Sequence, residues 1–255
     1  MNGILIIDKP KGLTSHDVVS RIRRILTANA LTHQRTNAPK VGHGGTLDPM
    51  ATGILPIFIG SATKLSSISI SGDKEYRAVF KFGEQTDTDD AEGVLVSTET
   101  VPADLYEKLE RILPKFTGSI LQTPPQYSAI RIGGRRAYKL ARKGVLVKIP
   151  PRNVEIKSLA IEKVDAPFVT FRFLCSKGTY IRSLARDMGE EIGAGAHVTE
   201  LRRLKCGQYG ISEAFKLEEV STLQDVMRML ETQPELNYGT TNRKEERSDD
   251  KVQIA

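Results

Sequence analysis

The chain has 255 residues, 39% of them hydrophobic, and 37 Lys and Arg face 31 Asp and Glu for a net charge of +6. That apolar fraction supports a globular core in one large domain or two small ones, and the basic surplus is mild enough that its placement says more than its size. Two cysteines, Cys175 and Cys206, with no CxxC pair argue against a disulfide framework or a Cys-rich metal site and suit a reducing compartment. The short apolar run at the start carries no basic leader, and no apolar run has the length of a membrane span, so a soluble, cytoplasmic protein is expected.

Gly3 to Asp8 reads as a short buried strand, and Lys9-Pro10-Lys11-Gly12 as the turn after it. Thr14 or Ser15 then caps a helix predicted to run to about Asn29. Its face is Val18, Val19, Ile22, Ile25 and Leu26, with Arg21, Arg23 and Arg24 largely off it. Residues 30–40 are polar and read as a connector in which His33 is solvated.

From Lys40 to Pro56 the chain concentrates four glycines, two prolines, His43 and one carboxylate, Asp48. Gly42, Gly44 and Gly45 permit positive φ or close backbone approach, and Pro49 biases Asp48 toward an extended conformation. The expected product is a stiff loop presenting one acidic side chain at a fixed angle. Taken alone, such a run is more often a surface turn whose Asp caps the next element.

Leu55 to Ile59 is a predicted strand and 61–68 a predicted short helix. Lys74 to Phe82 alternates, with Tyr76, Ala78, Phe80 and Phe82 on one side and Arg77, Val79 and Lys81 on the other. The acidic run from Thr86 to Gly93 invites a calcium reading. It lacks the glycine at the sixth position and the ligand at the fifth that an EF-hand loop needs, so no calcium is expected. Leu105, Leu109, Ile112, Leu113 and Phe116 mark an amphipathic helix entered through Pro102. Gln122 to Ser128 then break regular structure.

Arg131, Arg135, Arg136, Lys139, Arg142 and Lys143 follow closely, with Gly133-Gly134 and Tyr138 among them and no acidic residue between Gln122 and Lys148. A charge run is often a solvated face. An uninterrupted basic run with glycines and a tyrosine better suits an arm that grips phosphates. Asn153 to Val164 and Phe168 to Cys175 are predicted to pair around 165–167. Thr179 to Ile192 is a predicted helix stopped by Gly193, with Tyr180 and Arg182 in its first turn. Residues 196–204 form a second basic piece. A last helix is expected around Leu217 to Leu230, and from about Thr232 the chain loses periodicity and reads as a disordered tail.

Five separated segments now share one likeness: 3–15, the run Gly42 to Pro49, Lys74-Glu75-Tyr76-Arg77, Ser176 to Arg182, and Leu201-Arg202-Arg203. In these residues, in this order, the chain resembles the TruB family of pseudouridine synthases over roughly residues 3–230. The resemblance implies an α+β fold, a mixed and largely antiparallel sheet flanked by helices, forming one catalytic domain over 1–231 with a basic thumb-like insertion at about 124–150. It implies an enzyme that turns a uridine in the T-loop of tRNA, position 55, into pseudouridine, with no cofactor and no metal.

What the resemblance implies for single residues also makes chemical sense. Asp48 would be the nucleophile, since breaking a C–N glycosidic bond and rejoining the ring through carbon needs a positioned, ionised carboxylate. Arg182 would be the guanidinium that favours its charged form. Tyr76 would stack on the target base and is a candidate for proton handling, while Tyr180 and Leu201 would line the pocket. Stacking hides the target atoms, so the nucleotide must flip outward, and His43 would occupy or brace the vacated space. The basic arm resembles the family's thumb. Arg131, Arg135, Arg136, Lys139, Arg142 and Lys143, with Arg202 and Arg203, are the expected contacts to the RNA backbone. His16 and His197 are read as structural.

The chain departs from the family in two ways: a short tail stands where many members carry a C-terminal RNA-binding PUA domain, and the connector before residue 40 is long. A monomer acting on the tRNA T-stem-loop without an obligate protein partner is expected. The rivals are the related guide-RNA-dependent synthase, which relies on a PUA domain and protein partners, and an RNA-binding or RNA-folding protein with no use for the chemistry. The set Asp48, Tyr76 and Arg182 weighs against the latter.

Overall fold

The computed structural model describes residues 1–28 and 39–232. The predicted tail beyond Thr232 and nearly all of the predicted connector, His33 included, fall outside the described residues. Strand β1 (Gly3–Lys9) is buried along almost its whole length. Helix α1 (Ser15–Ala28) opens with a reciprocal cap: the Asp17 N–H donates to Thr14 Oγ1 at 3.1 Å and the Thr14 N–H donates to the Asp17 carboxylate at 2.8 Å. Val18, Val19, Ile22 and Leu26 form its buried face, as the spacing predicts, with Ile25 half-buried beside them.

Next come β2 (Val41–His43), β3 (Thr52–Ile59), a 3-10 turn over Gly60–Leu65 and α2 (Ser66–Ser71). Strand β4 (Lys74–Phe82) matches its predicted bounds and leads into the hairpin of β5 (Glu84–Thr86) and β6 (Leu95–Thr98). Helix α3 (Leu105–Ile112) tightens into a 3-10 turn at Pro114, and β7 (Gly118–Gln122) follows. The basic segment folds as β8 (Arg131–Ile132), β9 (Arg135–Arg136) and α4 (Ala137–Ala141). The chain then forms β10 (Arg152–Asp165), β11 (Phe168–Cys175), α5 (Ile181–Ile192), β12 (Ala196–Cys206) and α6 (Leu223–Glu231).

These elements divide into two compact units: one of Met1–Pro49, Gly53–Ile70 and the chain from Tyr209 onward, the other of Met50–Thr52 and Ser71–Gln208. In the first, β1 runs antiparallel to β3 with Lys9 opposite Gly53, β2 flanks β3 with His43 opposite Ile57, and the short strand Phe215–Lys216 joins Ile7 and Asp8 in parallel. Buried side chains from α1 and from Val226, Met229 and Leu230 of α6 close this core. Gly42 lies inside β2, not in a loop, and β3 begins at Thr52, ahead of the predicted Leu55. The single last helix expected from Leu217 is instead a 3-10 turn (Leu217–Glu219) and α6. Thr222 separates them, because its Oγ1 accepts from the Asp225 N–H at 3.1 Å and starts a new helix.

In the second unit β4 is central, antiparallel to β11 on one side and to β12 on the other, with β10 and β7 beyond β11. These pairings are all antiparallel, and with the parallel pair of the first unit the strand pairing is mixed and largely antiparallel, as the α+β class calls for. Lys74, Tyr76, Ala78, Phe80 and Phe82 alternate into the core. Phe80 packs on Phe171 and Phe173 with ring centroids 4.8 Å and 5.7 Å away, an arrangement aromatic pairs favour. Gly189 lets α5 come down onto the start of β12, since a Cβ there would stand 2.2 Å from the Ala196 nitrogen. The helix begins at Ile181, two residues after the predicted Thr179, because Tyr180 is extended and acts as its N-cap. Among the described residues no helix is long and apolar enough to cross a membrane.

Candidate active site

The candidate residues fall in both units: His43 and Asp48 in the first, Tyr76, Tyr180, Arg182 and Leu201 in the second. Asp48 is half-buried, and the peptides on both sides of it are fastened down. On its N-terminal side the Leu47 N–H donates to Ser15 Oγ at 2.8 Å, at the first residue of α1. On its C-terminal side the Pro49 carbonyl accepts from the Gly12 N–H at 2.8 Å and from Lys9 Nζ at 3.2 Å. Lys9 is fully buried, and its ammonium also donates to the carbonyls of Pro10 at 2.8 Å and Leu13 at 2.7 Å. A buried cation is tolerable only when so satisfied. The expectation of a stiff loop with one aimed carboxylate thus has a mechanical cause. Lys9 and Ser15, which read as parts of a turn and a cap, supply it.

In the second unit the first turns of α5 collect two loops. Arg182 is 3% exposed, and its Nη1 donates to the Thr88 carbonyl at 2.9 Å and lies 3.4 Å from the Asp90 carboxylate. Its Nη2 donates to the Tyr127 carbonyl at 3.1 Å. One turn later Arg186 meets Asp89 at 3.1 Å, and its Nη2 donates to the Thr123 carbonyl at 2.9 Å. Ser183 Oγ donates to the same Thr123 carbonyl at 2.8 Å. The acidic run that invites a calcium reading is therefore engaged with arginines spaced one turn apart on α5. It is held against β12 as well: Val198 N–H donates to the Asp89 carbonyl at 3.1 Å and Ala91 N–H to the Val198 carbonyl at 2.9 Å. Burial pushes the Asp89 carboxyl up to about 6, while the adjacent Arg186 and Arg182 pull the other way.

Two glutamines act as substitute backbone. Gln122, fully buried, donates from Nε2 to the Tyr180 carbonyl at 3.0 Å and accepts from the Tyr180 N–H at 2.8 Å. Gln126 does the same with Val147, at 2.9 Å and 3.1 Å, and so closes the base of the basic arm. The Tyr180 ring lies beneath the Arg152 guanidinium, 4.9 Å from its centroid, and Arg152 also donates to the Gly178 carbonyl. Gln122, Gln126, Arg152 and Arg186 do not stand out in the sequence, and Asp89 and Asp90 stand out there only as part of the acidic run. Each acts on a partner far along the chain or on a main-chain atom.

Tyr76 is 9% exposed and stands on β4 opposite Phe173 of β11 and Arg203 of β12, and its neighbour Ala78 stands opposite Leu201. The pairing sets Tyr76 and Leu201 on one face of the sheet. Burial pushes the Tyr76 phenol up to about 12, opposed by Arg203, whose side chain hydrogen-bonds to it. Arg203 corrects the expectation of a phosphate contact: it is 1% exposed, whereas gripping RNA backbone needs an accessible guanidinium. Arg202, its neighbour on the strand, points to the opposite face, opposes Arg77 and donates to Thr52 Oγ1 at 3.4 Å.

The six cations of the arm, Arg131, Arg135, Arg136, Lys139, Arg142 and Lys143, are all exposed. The reversal between β8 and β9 uses Gly133 and Gly134, both at positive φ (54° and 78°), as a two-residue hairpin turn of the tight kind requires. Arg142 lies over the Tyr138 ring, 5.6 Å from its centroid. His197 is buried and donates from Nδ1 to the Glu84 carbonyl at 3.1 Å, a structural bond, and His16 is exposed on α1. Among the described residues no group of three His, Cys, Asp or Glu side chains is arranged to hold a metal ion.

Residues 33–181 match the model described as TruB family pseudouridylate synthase (N terminal domain), and residues 182–236 match the tRNA pseudouridylate synthase B C-terminal domain. The tRNA pseudouridine synthase B of Burkholderia lata is 44% identical over 234 residues, which are 92% of this chain and 69% of that protein. Its counterpart in Syntrophus aciditrophicus is 45% identical over 221 residues, 87% of this chain and 67% of that one. Among solved structures, a chain from the crystal structure of a Cbf5-Nop10-Gar1 complex superposes with a TM-score of 0.64 at 30% identity, covering 86% of this chain and 53% of that chain. The chain therefore spans about half the length of the solved structure it matches.

Proposed function

The chain belongs to the TruB family of pseudouridylate synthases, and on that premise we propose that it isomerises uridine to pseudouridine in tRNA, at position 55 of the T-loop. The observation that carries the reading is the fastening of Asp48 between two bonded peptides, Leu47 held by Ser15 and Pro49 held by Gly12 and Lys9. A nucleophile held in this way needs little reorganisation when the nucleotide arrives.

In this reading the basic arm takes the RNA backbone and the target uridine flips out of its stack. Asp48 attacks the extruded nucleotide and the glycosidic C–N bond breaks. The base is reattached through carbon, the bond to Asp48 breaks and frees the carboxylate, and the proton on that carbon is lost to solvent while the released ring nitrogen takes one up. Arg182 supplies a positive charge to the chemistry, and its own rigidity comes from Thr88, Asp90 and Tyr127. Tyr76 stacks on the base. With its phenol pushed up to about 12 it is protonated at neutral pH, so it meets the base as a hydroxyl rather than a phenolate. Tyr180 and Leu201 line the pocket, and His43 braces the space the base leaves.

The protein acts as a cytoplasmic monomer that needs neither guide RNA nor a protein partner, as one catalytic domain. Identity of 44–45% to proteins named tRNA pseudouridine synthase B, against 30% to the chain from the Cbf5-Nop10-Gar1 complex, supports a tRNA substrate and action without partners. Incubating purified protein with unmodified tRNA transcript alone, and mapping pseudouridine by mass spectrometry, tests this beside Asp48→Asn. Product in the T-loop with the first protein and none with the second is expected. Tight binding without product from either would make the chain a binder.

A further inference from the structure

We propose that Arg203 is a positioning residue for the isomerisation: it acts through the Tyr76 hydroxyl, fixing where the phenol oxygen points and setting a positive charge beside it. The inference rests on the reading of Tyr76 as the residue that meets the target base.

Arg203 is among the largest fully buried side chains of the protein, at 1% exposed. Burying a guanidinium is costly, and an apolar side chain of similar volume is often the more stable occupant of such a place. A charge kept there is therefore expected to serve something local. One such object is Tyr76. The two residues are direct cross-strand partners on β12 and β4, and their side chains hydrogen-bond.

The direction of that bond is settled by chemistry. Guanidinium has donors and no acceptor, so the phenol oxygen accepts and its own proton is left to be directed elsewhere. On the other side of β4, Phe173 stands opposite Tyr76. One neighbour thus restrains the ring and the other restrains the oxygen. A register shift follows at once, between Arg203 and Lys205, so the pairing opposite Tyr76 is the last before a bulge. Bulges commonly re-aim a side chain beside a functional site.

Charge arguments point the same way. Burial raises the proton affinity of the phenol and Arg203 lowers it, so Arg203 offsets part of what the core imposes on Tyr76. Lys74, Cys175 and Cys206, titratable groups on this face, lie two pairings further along the strands, and Arg203 is felt at Lys74 as a like charge.

The test is a double-mutant cycle on unmodified tRNA under single-turnover conditions, with tRNA affinity and thermal unfolding measured on every protein. Arg203→Met is expected to slow the chemical step about tenfold or more while changing tRNA affinity by less than about threefold, and Arg203→Lys to recover part of the rate. In a Tyr76→Phe protein, which keeps the ring and lacks the oxygen, Arg203→Met should slow the reaction by less than about twofold further. Equal losses in the two backgrounds would overturn the proposal and leave Arg203 as packing. A Tyr76→Phe protein as fast as the native one would instead overturn the role of Tyr76 itself, and the inference with it. Should Arg203→Met fail to fold, Arg203→Lys in the same two backgrounds decides by the same criterion.

Discussion

Arg182 Nη2 donates to the main-chain carbonyl of Tyr127 at 3.1 Å, which ties the first turn of α5 to the root of the basic arm. Tyr127 follows Gln126, whose amide closes that arm onto Val147. A residue assigned to the chemistry and a segment assigned to RNA capture therefore share one hydrogen-bonded seam. Disturbing the seam should be felt in rate as well as in binding.

Asp90→Asn removes the carboxylate that faces Arg182 at 3.4 Å while nearly keeping its shape. Both groups are buried, and breaking such a pair costs about 3 kcal/mol because a charge is left behind. Urea unfolding should show that loss. Single-turnover assays should show a slower reaction in the fraction that stays folded. Unchanged stability would mean that the carbonyls of Thr88 and Tyr127 hold the guanidinium without help.

Asp89 should leave a signature in the pH dependence of stability. Its folded-state value of about 6 lies above the ordinary 3.8, so the folded protein holds this proton more tightly than the unfolded chain does. The associated stability is complete below the unfolded value and is lost as pH rises through about 6, with a span of roughly 3 kcal/mol for a shift of about two units. Urea midpoints for the native protein and Asp89→Asn, compared from pH 4 to 7, should therefore converge or cross, with the native protein losing ground as pH rises. Parallel curves would place the titration elsewhere.

Arg131 and Arg135 are exposed on the two short strands of the arm. Changing both to Ala should weaken tRNA binding and reduce the slope of log affinity against log salt by roughly 1.5, the change expected when about two phosphates are no longer neutralised. Stability should stay within about 0.5 kcal/mol, as for surface changes generally. Filter binding over a salt series measures the first and thermal unfolding the second. An unaltered slope would take the arm out of the RNA interface.

Much of this is readable from local pattern. The alternation of β4, the apolar face of α1 and the pairing of β10 with β11 each follow from a period that burial imposes, and Asp48, Tyr76 and Arg182 stand inside recognisable motifs. Helix starts escape the pattern where a single residue takes the cap, as at Tyr180 and Thr222. Arg203 passes for a phosphate contact as long as 196–204 is taken only as a basic piece. Read as a strand, that piece places Arg202 and Arg203 on opposite faces, and only one of them can meet solvent. The pairing of Asp89 and Asp90 with Arg186 and Arg182 spans more than ninety residues of chain, a distance over which no periodicity operates.

The ammonium of Lys9, closed in by three carbonyls, is an internal fastener that dissolved ions do not reach. The cations of the arm, by contrast, are exposed, and in the proposed role they compete with every counterion around the RNA. Ionic strength is accordingly a dial for how often a tRNA is caught, whereas the aim of the carboxylate is set once, when the polypeptide folds.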